Sequence, residues 1–194
     1  MIFFLRKEFK DFFHNYKSWL SLVIAAGAPR IFQLFDKELG CYPFIICILI
    51  AVCQYLYDSF LTDTTEKGMI FILNSGRSFM TLMFVKVVMG ILMMIVSLVV
   101  NFDLFLETFK AIDFLWLLPL CIAITSLMLL TAMMSQGSEL TSFTVSAVVI
   151  LGSVTSLLLL PLSLMRAGVT MAAAIILVRL AYRSFNSLSY RTQL

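Results

Sequence analysis

Residues 79–100 read FMTLMFVKVVMGILMMIVSLVV. Apart from Lys86 the stretch carries no charge, and its apolar character is continuous rather than alternating. A helix rises about 1.5 Å per residue, so such a run is about 33 Å long, enough to cross a hydrocarbon core of about 30 Å. A membrane barrel strand would instead show about ten residues of alternating character. In lipid only helices and closed barrels satisfy their own backbone groups, so this run reads as a membrane helix.

The whole chain agrees. Of 194 residues 61% are apolar and 13% charged, with mean hydropathy +1.02. A soluble domain is nearer half apolar and a quarter charged. Too little polar surface is available to cover a globule in water, and the length suits a single domain spanning residues 1–194. The net charge of +3 comes without a basic stripe interleaved with aromatics, which argues against nucleic acid as a partner.

Working outward, five further apolar segments are expected to span: Ser18–Phe35, Cys41–Tyr57, Phe114–Met134, Leu140–Leu164 and Ala167–Tyr182. Gly27, Pro29 and Arg30 interrupt the first of these. The expected fold class is an all-α polytopic membrane protein with six transmembrane helices. An N-terminal interfacial helix over residues 1–17 precedes them: Ile2, Leu5, Phe9, Phe12, Phe13 and Tyr16 share one face, and Arg6, Lys7, Lys10, Asp11, His14 and Lys17 fill the remainder. The same segment lacks the uninterrupted apolar core of a signal peptide.

Orientation follows from the basic residues. With six spans, Arg6, Lys7, Lys10, Lys17, Lys67, Arg77, Lys86, Arg179, Arg183 and Arg191 fall on or near one side, and Arg30, Lys37, Lys110 and Arg166 on the other. The richer side is expected to be cytoplasmic and to hold both termini, in a multi-pass protein of the cell membrane.

Chemistry is sparse. His14 lies on the polar side of the interfacial helix, and Cys41, Cys47, Cys53 and Cys121 lack the spacing and partners of a zinc site, so they read as small buried hydrophobes. No nucleophile elbow, zincin or phosphate-cradling motif appears. Catalytic, cofactor and metal residues are therefore all expected to be absent. Of the charges within spans, Lys86 and Arg179 are expected to snorkel to the cytoplasmic headgroups, and Arg30 and Arg166 to the outer ones.

Between the second and third spans lies a polar island, residues 61–78, LTDTTEKGMIFILNSGRS. Asp63 with Glu66 three residues on fits a capping box opening a short helix. Met69, Ile70, Ile72 and Leu73 form its apolar side, and Asn74-Ser75-Gly76 ends it. Spacing suits docking on a partner and resting on lipid equally well.

The run TEKGMIFILNSGRSFMTLMFVK resembles the signature region of the type-2 permease family of ATP-binding-cassette transporters. Glu66, Lys67 and Gly68 match its start, Ile72 and Leu73 its aliphatics, and Lys86 its lysine. Gly76-Arg77-Ser78 stands where the family has a proline-containing turn. Met69-Ile70-Phe71 replaces Thr-Leu-Glu, and Val85 replaces a glycine. The plan of an interfacial helix and six spans is similar too.

The resemblance implies a half-transporter that is not itself an enzyme. ATP and Mg would be bound by a separate ATPase subunit, docked on the island through Asp63, Glu66, Lys67, Gly68, Ile72, Leu73 and Arg77. A second copy of the chain, or a related permease, would complete the path. Small residues Ala25, Ala26 and Gly27, and Gly152 with Ser156, offer close-approach faces for it. Short outer loops and a Phe, Met, Leu and Ser lining point to export of hydrophobic or amphipathic peptides or drug-like molecules. The alternative is a six-span vitamin-binding subunit of an energy-coupling-factor importer, which would have no coupling helix between spans two and three.

Overall fold

The computed structural model describes residues 2–35, 42–64, 79–103, 114–135, 139–159 and 163–191. Within them the chain is all-helical and without strands: α1 (Ile2–His14), α2 (Tyr16–Phe35), α3 (Tyr42–Thr64), α4 (Phe79–Val100), α5 (Phe114–Ser135), α6 (Glu139–Leu159) and α7 (Ser163–Arg191).

Four helices carry stretches long and apolar enough to cross a bilayer: Ile45–Asp63, Phe79–Val100, Leu115–Met134 and Leu164–Ser187. These are the second, third, fourth and sixth expected spans. Helix α2 has 20 residues and α6 has 21, about 30 Å of rise each. Their length suffices; among the described residues α6 has a shorter apolar stretch, Thr144–Ser153.

Helices α3 and α5 form the centre. Helix α3 packs on α2, α4, α5 and α6, and α5 packs most extensively on α7. Val52, Cys53, Leu56 and Phe60 on α3 are wholly buried, as are Cys121, Met128 and Leu129 on α5. Helix α7 turns Val169, Ile175, Ile176 and Leu180 outward, an apolar face suited to lipid. Where α4 meets α5, a side chain at Gly90 would lie 2.9 Å from Cys121 Sγ, so the missing Cβ sets how closely these helices approach.

Pro29 explains a second contact. Lacking an N–H, it leaves the carbonyl of Ala25 without its helical donor. Ser97 Oγ on α4 donates to that oxygen at 2.8 Å, and Asn101 Nδ2 donates to Ala26 O at 3.0 Å. Helix α2 thus continues through its proline because α4 supplies the missing donor.

The boundary of the island differs from expectation. Leu61–Thr64 complete α3 instead of opening a new helix, so Asp63 sits in a last turn, not at a cap. Its carboxylate is already taken by lysines of other helices. The last helix is also longer than expected, reaching from Ser163 to Arg191.

Candidate functional site

The site begins at the joint between α1 and α2. Asn15 breaks the helix, and its Oδ1 accepts the Lys17 N–H at 3.0 Å, which caps α2. Phe12 then anchors α1 edge-on against Tyr55, ring centres 5.4 Å apart. Glu8 lies one turn before Phe12 on the same helix face and is carried into the protein with it.

On α3, Tyr55, Ser59 and Asp63 recur every four residues and so form one stripe. Lys86, two turns into α4, meets this stripe and Glu8 together. Its Nζ is 2.7 Å from Glu8 Oε1 and 2.6 Å from Asp63 Oδ2, and it donates to Ser59 Oγ. The Asp63 Oδ2 contact is an ion pair without hydrogen-bond geometry. Ser59 Oγ donates to Glu8 Oε2 at 3.0 Å, and Tyr55 OH to the same oxygen at 3.3 Å. Lys86 Nζ also lies 5.4 Å from the centre of the Phe60 ring.

Lys7 closes the cluster, donating to Asp63 Oδ1 at 3.2 Å and lying 3.6 Å from Asp11 Oδ2. The side chains of Lys86, Glu8 and Asp63 are 1%, 3% and 6% exposed, so water screens them little. Among the described residues, Lys7 and Lys86 face the two buried carboxylates, Glu8 and Asp63. Charges removed from water at a cost of several kcal/mol each are tolerated only when paired this closely. Burial pulls the Lys7 ammonium down, but Asp63, aided by Glu8 and Asp11, outweighs it and holds Lys7 above the ordinary lysine range.

A cavity of about 370 Å³ lies against the cluster, lined by Lys7, Glu8, Tyr55, Asp58, Ser59 and Asp63 among others. Among the described residues no group of His, Cys, Asp and Glu is arranged to hold a metal ion. Among the described residues the cluster presents no activated nucleophile. What it does mechanically is plain: it ties α1, the last turn of α3 and the first turns of α4 into one unit. Those two helix ends flank residues 65–78.

Lys86 therefore does not snorkel to the headgroups. It turns inward, because Glu8 and Asp63 offer it two charges inside the protein. Arg166 is likewise turned inward, 7% exposed, with its guanidinium carbon 5.8 Å from the centre of the Trp116 ring. Arg30 bonds Asp103 Oδ2 at 2.7 Å and the Val100 carbonyl at 2.9 Å, and so closes the C-terminal end of α4 at the opposite end of the bundle.

Of the residues singled out in the sequence, Asp63 joins this site, as does Lys86, the lysine of the resemblance. Glu66, Lys67, Gly68, Ile72, Leu73 and Arg77 lie outside the described residues, as does Cys41. Ala25 is buried against α4 of its own chain, whereas Gly27 and Gly152 border open space. Ser156 lies in α6, and its side chain is outside the described set. His14 is exposed, its Nδ1 2.8 Å from the Lys10 carbonyl oxygen, in keeping with a surface role. Cys47, Cys53 and Cys121 are buried thiols.

Glu8, Tyr55 and Ser59 were not among the sequence candidates. Glu8 had a visible signal, an acid on the Leu5–Phe12 face of an amphipathic helix. Neither the family models, nor the curated proteins, nor the solved structures contain a match to this chain.

Proposed function

We propose that this chain is the membrane-spanning permease subunit of an ATP-driven exporter of the ATP-binding-cassette class. Its six helices α2 to α7 would cross the cell membrane with both termini in the cytoplasm. An ATPase subunit, carrying ATP and Mg, docks on residues 65–78, and a second copy of the chain or a related permease completes the path. The cargo is a hydrophobic or amphipathic peptide or drug-like molecule.

The observation that carries this reading is the Lys86–Glu8–Asp63 cluster. A segment that merely rests on lipid needs no rigid mounting. Here the helix ends on both sides of it are held to each other and to the interfacial helix by buried charge. Movement imposed on residues 65–78 by closing ATPase subunits would pass into α3, α4 and α1 as a rigid body. The signature lysine of the resembling family is Lys86, the centre of this mount.

The test is co-expression with a candidate ATPase subunit of the ATP-binding-cassette class, identified by its Walker motif. The expected result is a stable complex with two permease copies and two ATPase copies, whose hydrolysis rises with added hydrophobic peptide. A chain that purifies alone with a bound vitamin, or one copy per pair of ATPases, overturns it.

A further inference from the structure

Helix α7 is the least covered of the four long apolar helices. Only 17% of its apolar stretch, Leu164–Ser187, lies inside the protein, against half or more in the other three. It rests chiefly on α5. Ala174, Ala181 and Phe185 face inward, and Tyr182 and Phe185 hold this part of α7 against Phe79, the first residue of α4, with ring centres 5.4 Å apart. The opposite face presents Ala172, Ile175, Ile176, Arg179 and Arg183, all exposed. At 3.6 residues per turn these five fall within about a third of the helix circumference.

Two arginines thus share the face turned to lipid. They stand one turn apart, so their stems emerge about 6 Å from each other. Among the described residues neither enters an ion pair. The sequence explains why: α7 contains no acid, and α5, on which it rests, contains no charged residue. Like charges at this spacing repel, and a guanidinium on a lipid-facing surface costs a few kcal/mol unless it finds an anion. Arg183 lies about 6 Å and Arg179 about 12 Å from the end of the apolar stretch, so their stems can carry both charges to the headgroups.

Charge selects the occupant of this face. A second copy packed here through Ala172, as a two-fold dimer in the membrane, would set Arg179 and Arg183 against their own counterparts with no acid on α7 between them. A zwitterionic headgroup carries a cation beside its phosphate and leaves the arginine pair uncompensated. We propose that Arg179 and Arg183 form a binding site for an anionic phospholipid, its phosphate held by both guanidiniums and one acyl chain lying along Ile175, Ile176 and Ala172. Tyr182, exposed beside them, stands where aromatic side chains meet headgroups. The site requires that α7 cross a bilayer, and it is independent of the permease reading.

The test places a reporter, Tyr182→Trp, in the full chain with Trp19→Phe and Trp116→Phe, which removes both native tryptophans. The protein is put in phosphatidylcholine nanodiscs doped with brominated phosphatidylglycerol or, at equal mole fraction, brominated phosphatidylcholine. Quenching should favour the anionic lipid by about fivefold for each arginine, the scale of one basic residue at an anionic surface. Arg183→Gln should lower the preference by about fivefold, and adding Arg179→Gln should bring it close to one. Lys10→Gln, an exposed basic position on α1, should leave it unchanged. Equal quenching by the two lipids overturns the proposal, as does an unchanged preference in the double variant. An equal loss in Lys10→Gln also overturns it, by reducing the effect to net charge. Quenching by neither lipid in a dimeric chain overturns it by giving this face to a second copy. A second measurement keeps the native tryptophans: native mass spectrometry from micelles holding equal phosphatidylglycerol and phosphatidylcholine. The first lipid retained should be phosphatidylglycerol, and Arg179→Gln with Arg183→Gln should abolish that preference; equal retention of both lipids by the native chain overturns the site.

Discussion

Lys86 Nζ lies 2.7 Å from Glu8 Oε1, a contact between residues 78 apart in the chain, and both side chains are almost wholly buried. With Asp63 bound to the same ammonium, three helices meet at one charge. The pairing makes each partner dependent on the others, because a charge left alone there has no water to turn to.

Lys86→Met leaves Glu8 and Asp63 with Lys7 as their one remaining cation among the described residues. Breaking a buried pair in this way costs about 3–5 kcal/mol, and thermal unfolding in detergent should fall by several degrees. The double variant Glu8→Gln with Lys86→Met should lose less than the two single losses combined, by about 1 kcal/mol or more. Strict additivity would mean that the two side chains do not share a site.

Lys7 gives the cluster a pH signature. Its pKa is raised above the ordinary 10.5, so the folded chain binds that proton more tightly than the unfolded chain does. The resulting stability is complete below about pH 10.5 and fades as pH rises through the folded value. The stability gap between the native chain and Lys7→Met should be level up to about pH 10 and shrink above it. A gap that stays level through the alkaline range would separate Lys7 from Asp63.

Gly90→Ala places a methyl 2.9 Å from Cys121 Sγ, and the short cysteine side chain has little room to yield. A loss of about 1–3 kcal/mol is expected from such overpacking. Adding Cys121→Ala should restore most of it, since the opposing sulfur is then gone. If Gly90→Ala alone raises the melting temperature, α4 and α5 do not approach as closely as described.

Much of the helical plan was legible because it rests on local hydrophobicity. The run at 79–100 is one helix in the structure with the same bounds, and the break before α2 follows from Asn15 acting as a cap. Tertiary pairing was not legible. Lys86 alone in a span permits snorkelling or an internal partner, and the choice depends on Glu8 and Asp63 arriving from helices distant in sequence. Asp63 was misplaced for a related reason. Its local pattern fits a capping box, but two lysines outside its own segment hold it in the last turn of α3. Pro29 and Arg30 suggested an interrupted helix, and only the structure shows α4 compensating for both.

Sidedness can be measured with single cysteines in a chain whose Cys41, Cys47, Cys53 and Cys121 are replaced. Membrane-impermeant maleimide added to intact cells should label Thr108→Cys, which follows the Arg30–Asp103 end of the bundle, and should spare Thr65→Cys, which follows the Lys86 cluster. Labelling at position 65 alone would invert the bundle and remove residues 65–78 from any cytoplasmic partner.

The most direct measurement is co-purification and ATP hydrolysis of the proposed partner ATPase with Glu66→Lys and with Gly68→Trp. The proposed docking surface puts Glu66 at the cytoplasmic surface, where a charge contributes under about 1 kcal/mol to a fold, so Glu66→Lys should leave expression and monodispersity unchanged. At a docked interface the same reversal leaves partner charges unmatched and costs several times more. The expected result for both variants is a folded permease that releases the ATPase or loses substrate-stimulated hydrolysis. Full partner retention with normal coupled turnover in both would contradict a joint at residues 65–78, and with it the permease assignment.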